Sequence, residues 1–269
     1  MGPADLGKAI ALNSAPFNSA RLVGTAVAGL AIGVVGIAGC FYLNGLSFVA
    51  AIAGLAAIRA GRVALTCGRP PSSVSADLRE GLAYVARTRL VWTTVLLVAV
   101  VGTFAMNLNV LVPVMARDVL GVGAGGFALL SSAAGVGSLA AALVLAAARR
   151  TPSMRALVLA AVAFGGLELI LAPVRQFALA AIVLAAIGFA MIYFTTLANT
   201  LLQLGTPDAL RGRVMSVYAT VFAGTTPLGS LFAGSLAEAG GVGLPLALGG
   251  LISLGAGLLG QVLSSSRRT

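Results

Sequence analysis

The sequence predicts an all-α integral membrane protein, and three observations predict it. Hydrophobic residues make up 59% of the 269-residue chain and charged residues 9%, where a soluble domain carries about 25% charged residues; mean hydropathy is +1.05. Long apolar runs alternate with short basic gaps along the whole chain. Threaded alternately through a bilayer, those gaps put nearly all the Lys and Arg on one side. Too little charge exists to cover a water-facing surface, so the net charge of +10 reads as membrane orientation. A nucleic-acid binder would cluster its basic residues on one solvated face.

A crossing needs about 20 mostly apolar residues. Leu22 to Ile58 is free of charge over 37 residues, enough for two crossings, and Gly36 and Gly39 supply the turn between helices at 18–37 and 40–58. Further runs predict crossings at Leu90–Ala116, Val119–Ala148, Ala156–Val174, Gln176–Leu204, Val214–Ala237 and Ala239–Ser264. With eight crossings, one side receives Lys8, Arg59, Arg62, Arg69, Arg79, Arg87, Arg89, Arg149, Arg150, Arg155, Arg211, Arg213, Arg267 and Arg268. The other side receives Arg117 and Arg175, and Arg21 stands at the first helix's entry. That asymmetry predicts cytoplasmic termini in a cell inner membrane. The N-terminal MGPADLGKAIALNS has no short apolar core behind basic residues and does not read as a secretory signal.

Between the second and third crossings lies a cytoplasmic segment, 59–89. Its first half, RAGRVALTCGRPPSSVS, reads as a linker. Its second half, SADLREGLAYVARTR, sets Leu78, Leu82 and Val85 on one helical face behind Ser75 as an N-cap. A helix along the membrane surface and an ordinary connector fit that pattern equally.

An internal repeat organises the crossings. RLVGTAVAG (21–29) returns as TPLGSLFAG (226–234): Gly24, Ala28 and Gly29 meet Gly229, Ala233 and Gly234 at an offset of 205 positions. Lys8 with Arg213, Phe17 with Phe222, and Gly45–Leu46 with Gly250–Leu251 share the offset, which equals six crossings. A six-helix unit repeated in parallel orientation is a known transporter plan. Four helices precede the motif in the second unit and none in the first, so the expectation is helices five to twelve of a twelve-helix protein.

AIALNSAPFNSARLVGTAVAG (9–29), CFYLNGLSFVAA (40–51), LREGLAYVARTR (78–89), LVPVMARDVLG (111–121) and TPDALRGRVMSVYATVFAGTTPLGSLFAG (206–234) together resemble the major facilitator superfamily. The likeness is to its enterobactin-exporter-like, transmembrane secretion effector branch, here without the N-terminal third. The antiporter-type Gly-Pro of such helices is incomplete, because Thr25 follows Gly24. The resemblance implies a major facilitator fold fragment: 1–58 the last two helices of the N-terminal half, 59–89 the linker, and 90–269 the C-terminal half. It also implies a substrate cavity lined by the first, fourth, seventh and tenth helices, of which the last two lie in this chain.

Polar residues inside these runs are the candidate sites, because polar groups in a membrane helix are costly unless they meet water, substrate or another helix. Thr103, Asn107 and Asn109 on the seventh helix, and Tyr193, Thr196, Asn199 and Gln203 on one face of the tenth, are substrate-cavity candidates. Interhelical hydrogen bonding is the plainer reading of each, at about 0.6 kcal/mol per contact. Glu168 is the one acid well inside a crossing and the proton-coupling candidate; a structural acid near Arg175 is the alternative. Arg21, Gly24, Gly29, Gly229 and Gly234 read as helix packing or gating. Asp208, Arg211 and Arg213 read as a cytoplasmic turn that ties the inner end of the bundle.

The functional expectation is secondary active efflux of small molecules such as drugs or siderophores by alternating access, with the lipid bilayer and a small-molecule substrate as partners. A non-transporting scaffold or regulatory fragment of such a carrier is the alternative, and homo-oligomer formation is a further partner expectation. Enzyme classes lack their parts. With no His, and with Cys40 and Cys67 at opposite ends of a crossing, no metal site or disulfide is expected. Seven acids, none paired within a run, exclude a metal–diphosphate chemistry, and no P-loop is present. No cofactor is expected.

Overall fold

The computed structural model describes residues 39, 42–54, 56, 74–147 and 152–265. The chain divides into two compact units, Met1–Pro71 and Ser72–Thr269. In the first, the described segment is an apolar helix, α1 (Tyr42–Gly54), inside the second expected crossing. The first crossing, with Arg21, Gly24 and Gly29, lies outside the described residues.

The second unit contains α2 (Val74–Arg87), α3 (Arg89–Phe104), α4 (Leu108–Val114), a π-helical turn (Met115–Val119), α5 (Ala124–Ala147), α6 (Met154–Leu171), α7 (Phe177–Leu204), α8 (Asp208–Gly240) and α9 (Gly243–Ser265). No strand occurs among the described residues. Among the described residues, five stretches are long and apolar enough to cross a membrane: Arg89–Val119, Ala124–Leu145, Met154–Leu171, Phe177–Leu204 and Gly243–Gln261. The longest helix, α8, has 33 residues but carries Asp208, Arg211, Arg213 and Glu238 as well as several hydroxyls.

Local chemistry sets the ends. Ser153 caps α6, its hydroxyl accepting the Ala156 N–H at 3.3 Å, which satisfies one donor of the first turn. Pro173 falls in the turn between α6 and α7, and Pro207 directly precedes α8, where proline's missing N–H is harmless. Gly121 (φ 62°) follows the π turn and Gly241 (φ 71°) ends α8; both need a backbone region that side chains disfavour.

Three expected boundaries are corrected. Leu90–Ala116 is not one helix, because the chain breaks between α3 and α4. Val119–Ala148 begins only at Ala124, since Val119 closes the π turn and Gly121 turns the chain. Val214–Ala237 is the middle of a helix that starts at Asp208, whose acidic side chain suits a helix N-terminus. The linker's second half is helical as α2, but it is not free-lying. Gly81 and Val85 are buried, and a Cβ at Gly81 would stand 3.2 Å from the Arg213 Cβ. Leu78 and Leu82 stay exposed.

Small residues let the membrane helices pack closely. A Cβ at Gly137 would overlap the Ala185 carbonyl, and one at Gly188 the Ala134 carbonyl, so α5 and α7 touch along bare backbone. The Ser138 hydroxyl spans that seam, donating to the Gly188 carbonyl at 3.2 Å. Between α6 and α9, Gly165 faces Gly250 and Ser253 donates to the Ala161 carbonyl at 3.1 Å. Ala172 faces Gly243 one end further along, which makes this pair antiparallel. Phe164, Leu184, Ile187, Phe194 and Leu202 fill the core.

Candidate functional site

The break between α3 and α4 is built by Asn107. The Met106 N–H reaches back to the Val101 carbonyl at 3.1 Å, and the Asn107 N–H turns to Ala105 at 2.8 Å, so the α-helical ladder stops at Ala105–Asn107. Asn107 Nδ2 donates to the Thr103 carbonyl at 2.8 Å, supplying from a side chain the bond that the backbone no longer makes. Two neighbouring helices close over the gap. Gly229 of α8 lies against the Asn107 amide oxygen and the Thr103 carbonyl, and Gly249 of α9 against the Phe104 carbonyl. One turn earlier, a Cβ at Gly102 would stand 2.9 Å from Thr225 Oγ1. Phe104 also meets Phe232 edge-on, with ring centroids 5.0 Å apart.

These contacts sort the seventh-helix candidates. Asn107 is buried at 5% exposure, held between α3 and α8, and Thr103 contributes its carbonyl to the same knot. Asn109, two residues on, is exposed.

On α7, Gln203 Nε2 donates to Asn199 Oδ1, and Asn199 is within hydrogen-bonding reach of the buried Tyr218 hydroxyl on α8. Tyr218 stacks on Phe222 at 5.9 Å. Tyr193 stacks on Phe189 at 5.8 Å, and Thr196 is exposed and takes the Thr200 hydroxyl on its carbonyl at 2.8 Å. The hydrogen bonds of the two groups of candidates run to different partners. Both meet α8, at Tyr218 and at Gly229, about 16 Å apart along its axis at 1.5 Å per residue.

Gly229 sits at a close approach, whereas a Cβ at Gly234 would meet open space. Gly229 thus packs onto the α3 break, and no described residue reaches the space beside Gly234. At the α7–α8 corner, Arg211 pairs with Asp208 and its Nε donates to the Gln203 carbonyl at 3.1 Å. Arg213, 14% exposed, pairs with Glu80 of α2 at 2.6 Å. The corner thus joins three helices, and Glu80 and the Tyr84 hydroxyl, which donates to the Gly205 carbonyl at 3.2 Å, are members the sequence did not single out. Thr206, just past the end of α7, turns back on that helix and donates to the Leu202 carbonyl at 2.7 Å.

Glu168 is 1% exposed, and among the described residues its buried Oε2 has no hydrogen-bond partner. Burying a carboxyl without a partner is costly in either protonation state. Ala172, one turn on, lines a cavity of about 240 Å³ whose wall also carries Asp118 and Arg175. Arg175 itself is exposed and Asp118 pairs with Arg117 at 2.6 Å. No cluster of potential metal ligands exists among the described residues.

The profile of a family described as transmembrane secretion effector matches residues 1–266. Among curated proteins, the chain is similar to the multidrug efflux pump Tap of Mycobacterium tuberculosis H37Rv, 28% identical over 248 residues, covering 88% of this chain and 58% of that protein. It is similar at the same identity to the Tap pump of Mycolicibacterium fortuitum over 259 residues, 93% of this chain and 63% of that protein. The chain thus spans about three fifths of the length of these relatives. No solved structure matches it.

Proposed function

We propose that this chain, which belongs to the transmembrane secretion effector family of major-facilitator-type transporters, forms part of a proton-driven exporter of small amphipathic molecules. Membership makes it a multi-pass membrane protein. Our reading adds the cell inner membrane, cytoplasmic termini, and transport without any covalent step on the substrate. Multidrug efflux is the activity named for the Tap relatives, and the one-sided Lys and Arg support the orientation.

The observation that carries the reading is the α3 break. Irregular backbone at membrane depth persists only where protein buries it or a cavity meets it, and transporters place such breaks beside their binding sites. Here Asn107, Gly229 and Gly249 bury the break. The exposed Asn109 and Thr196, with Tyr193 and the Asn199–Gln203 pair, are the polar groups offered to substrate; Asn107 and Thr103 shape the wall behind them. Glu168 is the coupling acid, one turn from the cavity that Ala172 lines.

The reading is tested by exchanging the matching segment of the M. tuberculosis Tap protein for this chain in a host lacking its own pumps. Gradient-dependent efflux of a lipophilic dye is expected from the chimaera, background efflux from this chain alone, and loss of gradient dependence with Glu168→Gln. A chimaera that inserts in the membrane but exports nothing refutes the exporter reading. Undiminished gradient dependence in the Glu168→Gln variant removes only the coupling role.

A further inference from the structure

A second cavity, about 280 Å³, lies between α3 and α9. Leu96, Leu97 and Val100 form one wall and Ile252, Ala256 and Leu259 the other. Leu97 at its floor is 3% exposed, while Leu259 at its lip is 66% exposed, so it is a groove open to the side. Both walls belong to membrane-crossing helices. Among the described residues nothing covers its opening, and at membrane depth water cannot fill it and an empty groove would forfeit its dispersion contacts. Drug-sized ligands occupy roughly 300–1,000 Å³ and are mostly enclosed; a shallow lateral groove of this size suits a single acyl chain instead.

Register supplies the other half of the ligand. From Thr93 to Val100 the groove runs about 10 Å along α3, within one leaflet of a core about 30 Å thick. Arg89 stands one turn before Thr93 on the same face of α3, at the level where that leaflet's headgroups begin. Arg87 precedes it at the end of α2. Trp92, between Arg89 and Thr93 and 47% exposed, sits where tryptophan favours the membrane–water interface. We propose that this groove is a binding site for an anionic phospholipid, its acyl chain between α3 and α9 and its phosphate at Arg89. The site depends on the membrane placement of the two helices and not on transport.

Trp92 is the only tryptophan, so the protein carries its own reporter. The full chain is reconstituted in phosphatidylcholine vesicles doped with brominated phosphatidylglycerol or brominated phosphatidylcholine, and quenching of Trp92 is followed. Phosphatidylglycerol is expected to quench at about fivefold lower mole fraction, the effect of one arginine near the bilayer surface. Arg89→Gln should erase that preference and Arg89→Lys should keep it. Gly255 also lines the groove, and a Cβ there meets open space, so Gly255→Phe should fill the groove and reduce quenching by both lipids at unchanged helix content. Equal quenching by the two lipids in the unaltered chain overturns the site, as does a preference that survives both Arg89→Gln and Gly255→Phe.

Discussion

Two seams in this bundle are both made by glycines, yet they differ in kind. Along α5–α7, Gly137 and Gly188 bring two unbroken helices together, and one hydroxyl, Ser138, crosses between them. Along α3–α8, Gly102 and Gly229 bring α8 onto a helix that has stopped, where an amide side chain stands in for the missing backbone bond. The first seam holds backbone against backbone with no alternative arrangement offered by its side chains. The second places a rotatable asparagine at the contact. The difference separates the helices that form a frame from those whose contact is conditional on one side chain.

The contrast breaks first at the frame. Gly188→Leu should prevent folding altogether, because its side chain would occupy the Ala134 carbonyl; overpacking of 1–3 kcal/mol is a floor for a clash with backbone. Helix content in detergent checks this, and a folded Gly188→Leu protein would mean that α5 and α7 separate freely. Gly229→Ala comes next, with a loss of about 1–3 kcal/mol in thermal unfolding followed through Trp92 fluorescence and reduced efflux in the Tap chimaera.

Asn107→Ala removes the bond to Thr103 and should cost about 1 kcal/mol, with efflux falling further than stability does. Equal falls would make Asn107 a packing residue like Ser138. The smallest effect belongs to Gly234→Ala. Open space receives the methyl group, and alanine's helix preference should stabilise the protein by a few tenths up to about 1 kcal/mol. A loss instead would show that α8 is covered there.

Helix-forming runs were plain in the sequence because a membrane helix needs only length and apolarity, and the gaps at 148–155 and 204–213 announced themselves by their arginines. The α3 break did not. TFAMNLNV contains no Gly or Pro, and in a run this apolar a 3.6-residue period has almost no contrast to show. The pair Asn107 and Asn109 was visible as polar, but which of them turns inward depends on a local backbone that stops being helical between Phe104 and Leu108. The isolation of Glu168 was equally hidden, since partners across a bundle come from α9 and α3 and sequence spacing on α6 says nothing of them. Arg213 with Glu80 joins residues 133 positions apart, beyond any local pattern. Glycine spacing carries no such detail either: Gly229 and Gly234 look alike in the repeat, and among the described residues one has a tight contact and the other open space.

Proline 227 lies inside α8, two residues before Gly229. Its ring leaves the Ala223 carbonyl without the usual N–H and weakens the rod at that turn. Gly229 is the residue laid over the α3 break. The α3–α4 stretch and α8 therefore share a crease, each with an interrupted backbone ladder where it meets the other, while α5, α6 and α7 are continuous helices. Bending stress applied to either end of α8, including through Arg213 and α2, concentrates at this crease rather than spreading along the bundle.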